Sequence, residues 1–357
     1  MEDRIWKRIV KYTELQGTSG QEFMVRKAFR EDLTPLVDEV VQNGLGGLYG
    51  IRQNADAKAP RIMFGAHMDE VGFIVVKITD RGMLQVAAVG GWNPYTVSAQ
   101  RFVLYTREHQ YPVVSSAVSP HFLRTGNQNG APQIEDILFD AGFTSRDEAK
   151  QYGVEPGDFI VPDVKTQLMA NGQRVNSKSW DNRFGLVTIL NAFENLQNET
   201  LHNTLIMGAN VQEEVGLRGV GPAVHQLQPD LFFALDSSAA DDLQSGEGQG
   251  QLDQGAILRV FDPGVIMPKR LKEFVLDTAN DEKIPLQYFV AKGGTDAHGA
   301  QSENFGIPSV ALGVVSRYIH THQTVWSIAD FEAAQHLVET LARKLDQSTV
   351  NDIIYGD

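Results

Sequence analysis

Four apolar runs of strand length in this chain stop at a histidine or an acidic residue. Arg61-Ile62-Met63-Phe64-Gly65-Ala66 runs into His67. Leu205 to Val211 ends at Gln212-Glu213-Glu214. Leu231 to Leu235 ends at Asp236, and Ser309 to Val315 is followed by Arg317-Tyr318-Ile319-His320. Such runs read as buried strands. In α/β sheets, ligands bind beyond the carboxyl ends of the strands, which is where these polar groups fall. A fifth group, Asp181, starts an apolar segment read as a helix over Asp181 to Leu196.

The remaining segments predict an α/β fold, a mixed central sheet flanked by helices. Met1 to Leu15 reads as an amphipathic helix and not as a signal peptide. Ser19 with Glu22 fits a capping box before a second helix carrying Phe23, Val25 and Phe29. Between about Glu70 and Pro162 the texture changes to short β-rich pieces, such as Gly72 to Ile78, Leu84 to Val89, Arg101 to Tyr105 and Pro112 to Val118. Asp136 to Tyr152 looks helical within this stretch. The expected division is a catalytic α/β domain over 1–69 and 163–357, with an inserted β-rich, barrel-like domain over 70–162. Ser327 to Leu345 closes the chain as an amphipathic helix.

Composition narrows the chemistry. None of the 357 residues is cysteine, so disulfides and thiolate metal sites are excluded. A reducing, cytoplasmic location is the expectation. The net charge of −14 comes without a basic stripe, which argues against nucleic acid as a partner. No apolar run is long enough to span a bilayer, so no membrane partner is expected. Any metal must bind His, Asp and Glu, a donor set that suits Zn, Co, Mn or similar ions.

Each candidate has a bland reading. His67-x-Asp69 permits Asp69 to accept the second ring N–H of His67, leaving the other nitrogen for a metal; alone, it is more often a strand-end salt bridge. Glu213-Glu214 is a repelling pair that needs a positive partner if enclosed. One carboxylate could then ligate metal while the other acts as general base; alone, the pair is a solvated turn. Asp181 and Asp236 could be helix caps. Of His320 and His322, separated by one residue, only one is expected in the site. Together, two histidines and four carboxylates at element ends of one domain are too many coincidences for the bland readings.

Six segments carry a resemblance over nearly the whole chain. They are Gly65-Ala66-His67-Met68-Asp69-Glu70-Val71-Gly72, Ser179-Trp180-Asp181-Asn182-Arg183, Gln212-Glu213-Glu214-Val215-Gly216, Ala234-Leu235-Asp236-Ser237, Gly293-Gly294-Thr295-Asp296 and Arg317-Tyr318-Ile319-His320. In these the chain resembles the tetrahedral aminopeptidases, a family of dinuclear metallopeptidases, and within them the bacterial glutamyl aminopeptidases. The resemblance implies two divalent metal ions per subunit, Zn2+ or Co2+. Asp181 would bridge them, His67 and Asp236 would complete one site, and Glu214 and His320 the other. Glu213 would be the general base and Asp69 would orient His67. It also implies peptide substrates, a preference for N-terminal Glu or Asp, and a homo-oligomer, a tetrahedral dodecamer assembled through the inserted domain. An acidic substrate needs a local cation. Lys292, before Gly293-Gly294, is the first candidate and Arg259, inside Ala256 to Val260, the second; a structural ion pair or a surface position is the alternative for each. Other readings are a broad or leucine-type aminopeptidase, a metal-dependent deacylase or carboxypeptidase on the same scaffold, a glycoside hydrolase built on the carboxylates, and a non-catalytic metal-binding scaffold.

Overall fold

The computed structural model describes residues 1–119, 121, 133–243 and 249–356. The chain opens with helices α1 (Asp3–Glu14) and α2 (Phe23–Leu33), strands β1 (Glu39–Gln42), β2 (Leu48–Arg52) and β3 (Arg61–His67). Six strands follow: β4 (Gly72–Ile78), β5 (Leu84–Val89), β6 (Arg101–Tyr105), β7 (Gln110–Ser115), β8 (Phe139–Asp140) and β9 (Phe159–Pro162), with α3 (Arg146–Gln151) before β9. After β10 (Gln167–Leu168) and β11 (Arg174–Ser177) come α4 (Trp180–Leu196), β12 (Thr204–Asn210), α5 (Val220–Leu227) and β13 (Leu231–Ala239). The last third holds β14 (Ala256–Asp262), β15 (Val265–Ile266), α6 (Lys269–Asp281), β16 (Leu286–Val290), α7 (Asp296–Gln301), β17 (Ser309–Arg317), β18 (Thr324–Ser327), α8 (Ile328–Lys344) and α9 (Gln347–Tyr355).

Two sheets result. The large mixed sheet runs β1-β2-β12-β3-β13-β17-β18-β11-β10, with β14 joining at β17 and carrying β15 and β16. Its centre is parallel: β12, β3, β13 and β17 are neighbours running one way. These are the four apolar runs, and β12 is buried along its whole length. A strand covered on both faces reads as a continuous apolar run rather than an alternation. On one face, α4 and α8 pack with α1 and α2 around Phe64, Phe184, Leu235, Leu312 and Trp326. The other face is covered by α5 and α7 over Met63, Ile206, Phe232 and Ala311. Helix α4 lies between the sheet and α1 and α8, so nearly every one of its side chains is buried. Its Trp180 stacks on Trp326 with ring centroids 3.6 Å apart.

β4-β5-β8-β7-β6-β9 close into a barrel, filled by Phe73, Val86, Phe102, Phe139 and Ile160. It leaves the large sheet directly after the β3 end and returns before β10.

Several local expectations give way to tertiary structure. Asp136 to Tyr152 is not one helix. Phe139 pairs with Leu84 to close the barrel, Gly142 takes φ +86°, and a short helix begins only where Ser145 caps Glu148 N–H. β7 stops at Ser115, short of Val118, while β13 and β17 run beyond Asp236 and Val315. Ser19 caps no helix, because its hydroxyl donates to Asp69 at 2.6 Å. Glu22 instead accepts Gly20 N–H and Gln212 N–H. Asp181 and Asn182 depart from helical backbone angles, so the regular part of α4 begins after them.

Candidate active site

The parallel strand order brings the polar ends together. His67 closes β3, and its partner across the ladder is Asn210, the last residue of β12. Three residues later comes Glu213-Glu214, in a turn where Gln212 and Leu217 adopt left-handed backbone angles. Asp236 lies on β13 opposite Gly313 of β17. A Cβ at Gly313 would sit 1.8 Å from the Asp236 carbonyl oxygen, so only glycine lets β17 approach here. His320 follows β17 with φ +58°, a region non-glycine residues enter at a cost.

Asp181 stands at the centre. Its Oδ1 lies 3.1 Å from His67 Nε2 and its Oδ2 lies 3.4 Å from His320 Nε2. Glu214 Oε1 is 3.4 Å from His320 Nε2. Glu213 Oε2 and Asp236 Oδ1 are each 3.9 Å from His67 Nε2. Two sets of ligand atoms lie within 4.8 Å of one another, His67 with Asp181 and Glu214, and His67 with Glu213 and Asp236. All six expected side chains therefore converge, and Glu213 stands as close to His67 as Asp236 does.

The ring orientations follow from carbonyl acceptors. His67 Nδ1 is 3.0 Å from the Asp69 carbonyl oxygen, closer than the Asp69 carboxylate at 3.5 Å. A carbonyl only accepts, so Nδ1 carries the proton and Nε2 faces the centre. The Asp69 carboxylate also accepts Glu213 N–H at 3.1 Å and Glu214 N–H at 3.2 Å, anchoring the acidic turn to the β3 end. His320 Nδ1 is 3.0 Å from the carbonyl of Gly91, which belongs to the segment after β5. A side chain at Gly91 would lie 3.2 Å from that nitrogen. The inserted segment thus supplies part of the site. Nothing in the local sequence marks Gly91 for this.

The charges are built for cations. Burial raises Glu214 to about 8, with Asp181 adding to the shift. Burial likewise lifts Asp236 to about 7, again with Asp181 adding, and holds Glu213 well above the carboxylate range. Burial alone would lower both histidines. Glu213, Asp181 and Asp69 nevertheless hold His67 well above its ordinary value, and Asp181 and Glu214 bring His320 to about 9. Burial would raise Asp181, but its bonds to His320 and His67 hold it far below the usual range. Glu214 Oε1 is buried with no hydrogen-bond donor. Enclosed carboxylates in excess of cations, with one oxygen among them that accepts no hydrogen bond, fit divalent metal ions bound by His and carboxylate donors.

A cavity of about 620 Å³ opens from this centre. Arg259, Lys292 and His298 line it together with the histidine–carboxylate cluster. Arg259 is 7% exposed, donates to Ser238 Oγ at 2.6 Å and to Gly293 O at 3.3 Å, and lies over the Phe289 ring. Lys292 is exposed at the cavity wall. Residues two apart on a strand point the same way, so Asp236 and Ser238 of β13 face one cavity. Ser238 carries no sequence signal of its own. His322 stands apart, its ring edge-on to Phe102 with centroids 4.4 Å apart, and burial lowers its pKa to about 4.

The family model described as M42 glutamyl aminopeptidase matches residues 46–337. A glutamyl aminopeptidase of Lactococcus lactis subsp. cremoris is 46% identical over 351 residues, covering 98% of this chain and 99% of its own. Among solved structures, a TET aminopeptidase from a marine sediment archaeon of the Thaumarchaeota superposes with a TM-score of 0.94 at 34% identity, covering 98% of this chain and 100% of its own. The TET1 peptidase of Pyrococcus horikoshii, which can assemble into a tetrahedron or a large octahedral shell, superposes with a TM-score of 0.86 at 29% identity, over 96% of this chain and 100% of its own.

Proposed function

The chain belongs to the M42 glutamyl aminopeptidase family and is a metal-dependent peptide hydrolase of the aminopeptidase type, and we propose that it removes N-terminal acidic residues with two divalent ions held by His67, Asp181, Glu214, Asp236 and His320. One observation carries the ligand set: the two oxygens of Asp181 face different histidines, the arrangement a bridging carboxylate needs. His67 and Asp236 would then complete one site, and Glu214 and His320 the other. Zn2+ or Co2+ suits these donors.

Bound there, the ions would polarise the scissile carbonyl and make water a better acid. The residues do the rest. Glu213 takes the proton of the attacking water and returns it to the leaving amine nitrogen, and its burial favours the protonated form it holds between the two transfers. Asp69 keeps His67 and the Glu213 turn in place. The free amino terminus of the peptide meets the site carboxylates, which restricts cleavage to the chain end.

The acidic preference rests on Arg259. Among the described residues it has no carboxylate within ion-pair distance, and its Nε is buried without an acceptor. A buried guanidinium held by Ser238 and a main-chain carbonyl is ready for a substrate carboxylate, with Lys292 at the wall as a second cation. For assembly we propose a homo-oligomer, a tetrahedral dodecamer in which residues 70–162 act as an assembly domain; solved relatives that form a dodecamer, or a tetrahedron or large octahedral shell, support this reading. A panel of glutamyl, aspartyl, leucyl and alanyl amides, assayed after chelation and again with Zn, Co or Mn, tests the reading. Glutamyl hydrolysis restored by metal supports it; a leucyl amide cleaved faster than a glutamyl amide overturns the acidic preference.

A further inference from the structure

Asp296 lies in the chain between Gly294 and His298, which line the cavity. It is 3% exposed, and it opens α7 directly after Thr295, whose hydroxyl accepts Ala297 N–H. One carboxylate oxygen, Oδ2, accepts the amide N–H of Asn210 at 2.8 Å. The other, Oδ1, is buried with no partner. Asn210 is fully buried, and its own amide oxygen accepts the Tyr49 hydroxyl at 2.8 Å. A buried carboxylate with one idle oxygen is costly, which argues for a task beyond packing.

Asn210 occupies the place where that task would be felt. It ends β12 three residues before Glu213, lies opposite His67 in the ladder, and its carbonyl accepts Met68 N–H at 2.9 Å. Its side chain is gripped from both sides, by Tyr49 on β2 and by Asp296 on α7. Building on the assignment of Glu213 as the base, we propose that Asp296 is a positioning residue. Through Asn210 it holds the β12 and β3 ends in the relative placement that aims Glu213 and His67 at the reacting atoms. A displacement of about 1 Å at a catalytic group costs on the order of a hundredfold in rate, so a loosened Asn210 lowers turnover more than substrate affinity.

The test is kinetic, on metal-loaded full-length enzyme, with melting temperature and metal content recorded for every variant. Asp296→Ala should lower kcat about tenfold or more, change KM less than about threefold, and still bind two ions. Asp296→Asn keeps an oxygen for the Asn210 N–H and should restore at least a third of wild-type kcat. Tyr49→Phe should give a smaller loss, and the double variant Asp296→Ala with Tyr49→Phe should fall no lower than Asp296→Ala alone, since both act through Asn210. A kcat for Asp296→Ala within twofold of wild type overturns the proposal. So do losses that multiply independently, and an Asp296→Asn as slow as the alanine variant. If Asp296→Ala does not fold, Asn210→Ser takes its place in the same comparison and must reproduce the drop in kcat at unchanged KM. Failure of the base assignment shows separately, as an active Glu213→Gln.

Discussion

At the residue scale, the proposed roles separate binding metal from moving protons. Asp181→Asn removes the carboxylate that meets both histidines, so elemental analysis of the purified variant should find neither ion; two ions per chain would rule out the bridge. Glu213→Gln should keep its metal and lose turnover by about 10²-fold or more. Arg259→Met keeps the apolar stem and removes the charge. A charged hydrogen bond in a partly desolvated pocket contributes about 1.5–3 kcal/mol, or roughly ten- to a hundredfold. The ratio of glutamyl to leucyl hydrolysis should fall by that factor, with leucyl activity little changed.

At the scale of elements, close approach and capping tie the strand ends to their supports. Gly313→Ala places a methyl against the Asp236 carbonyl. Overpacking of this kind costs about 1–3 kcal/mol, so the variant should melt lower and lose activity together. Asp330, in the first turn of α8, accepts Asp253 N–H at 2.9 Å and Gly255 N–H at 2.6 Å. Burial raises its pKa from 3.8 to about 6. The folded chain then holds a proton between about pH 4 and 6 that the unfolded chain releases, so this group's contribution to stability falls as pH rises through that window and is flat above it. Asp330→Asn removes that slope. The melting temperature of wild type relative to the variant should therefore be higher at pH 4 than at pH 7, and an equal difference at both would show that the carboxyl does not titrate there.

At the scale of the whole molecule, the barrel is joined to the catalytic sheet through the site itself, because Gly91 orients His320. Assembly through the barrel would therefore also brace the proposed metal ligands. Light scattering at micromolar concentration should give a mass many times that of the 39.4 kDa chain, and a monomer would reject the dodecamer. Closure into a shell predicts that peptides are trimmed while folded proteins are spared. Among the described residues, no helix is long and apolar enough to cross a membrane.

The amino-acid order alone carried the four apolar runs, the polar residue at the end of each, and the change of texture between Glu70 and Pro162. Hydrophobic periodicity is a local property, and strands buried on both faces announce themselves without reference to neighbours. It also carried the family resemblance, because the six segments are short and contiguous. What depends on contacts between distant residues was decided only in three dimensions. Ser19 looks like a helix cap but reaches Asp69, since a hydroxyl takes whichever acceptor the fold brings nearest. Phe139 becomes a strand because a barrel must close, against a local pattern that favours helix. The partner of His320 is a glycine carbonyl in the distant segment after β5, and a main-chain oxygen leaves no mark on residue type. The order β12-β3-β13-β17, which turns four separate chain segments into one site, is a property of the sheet and of no single strand.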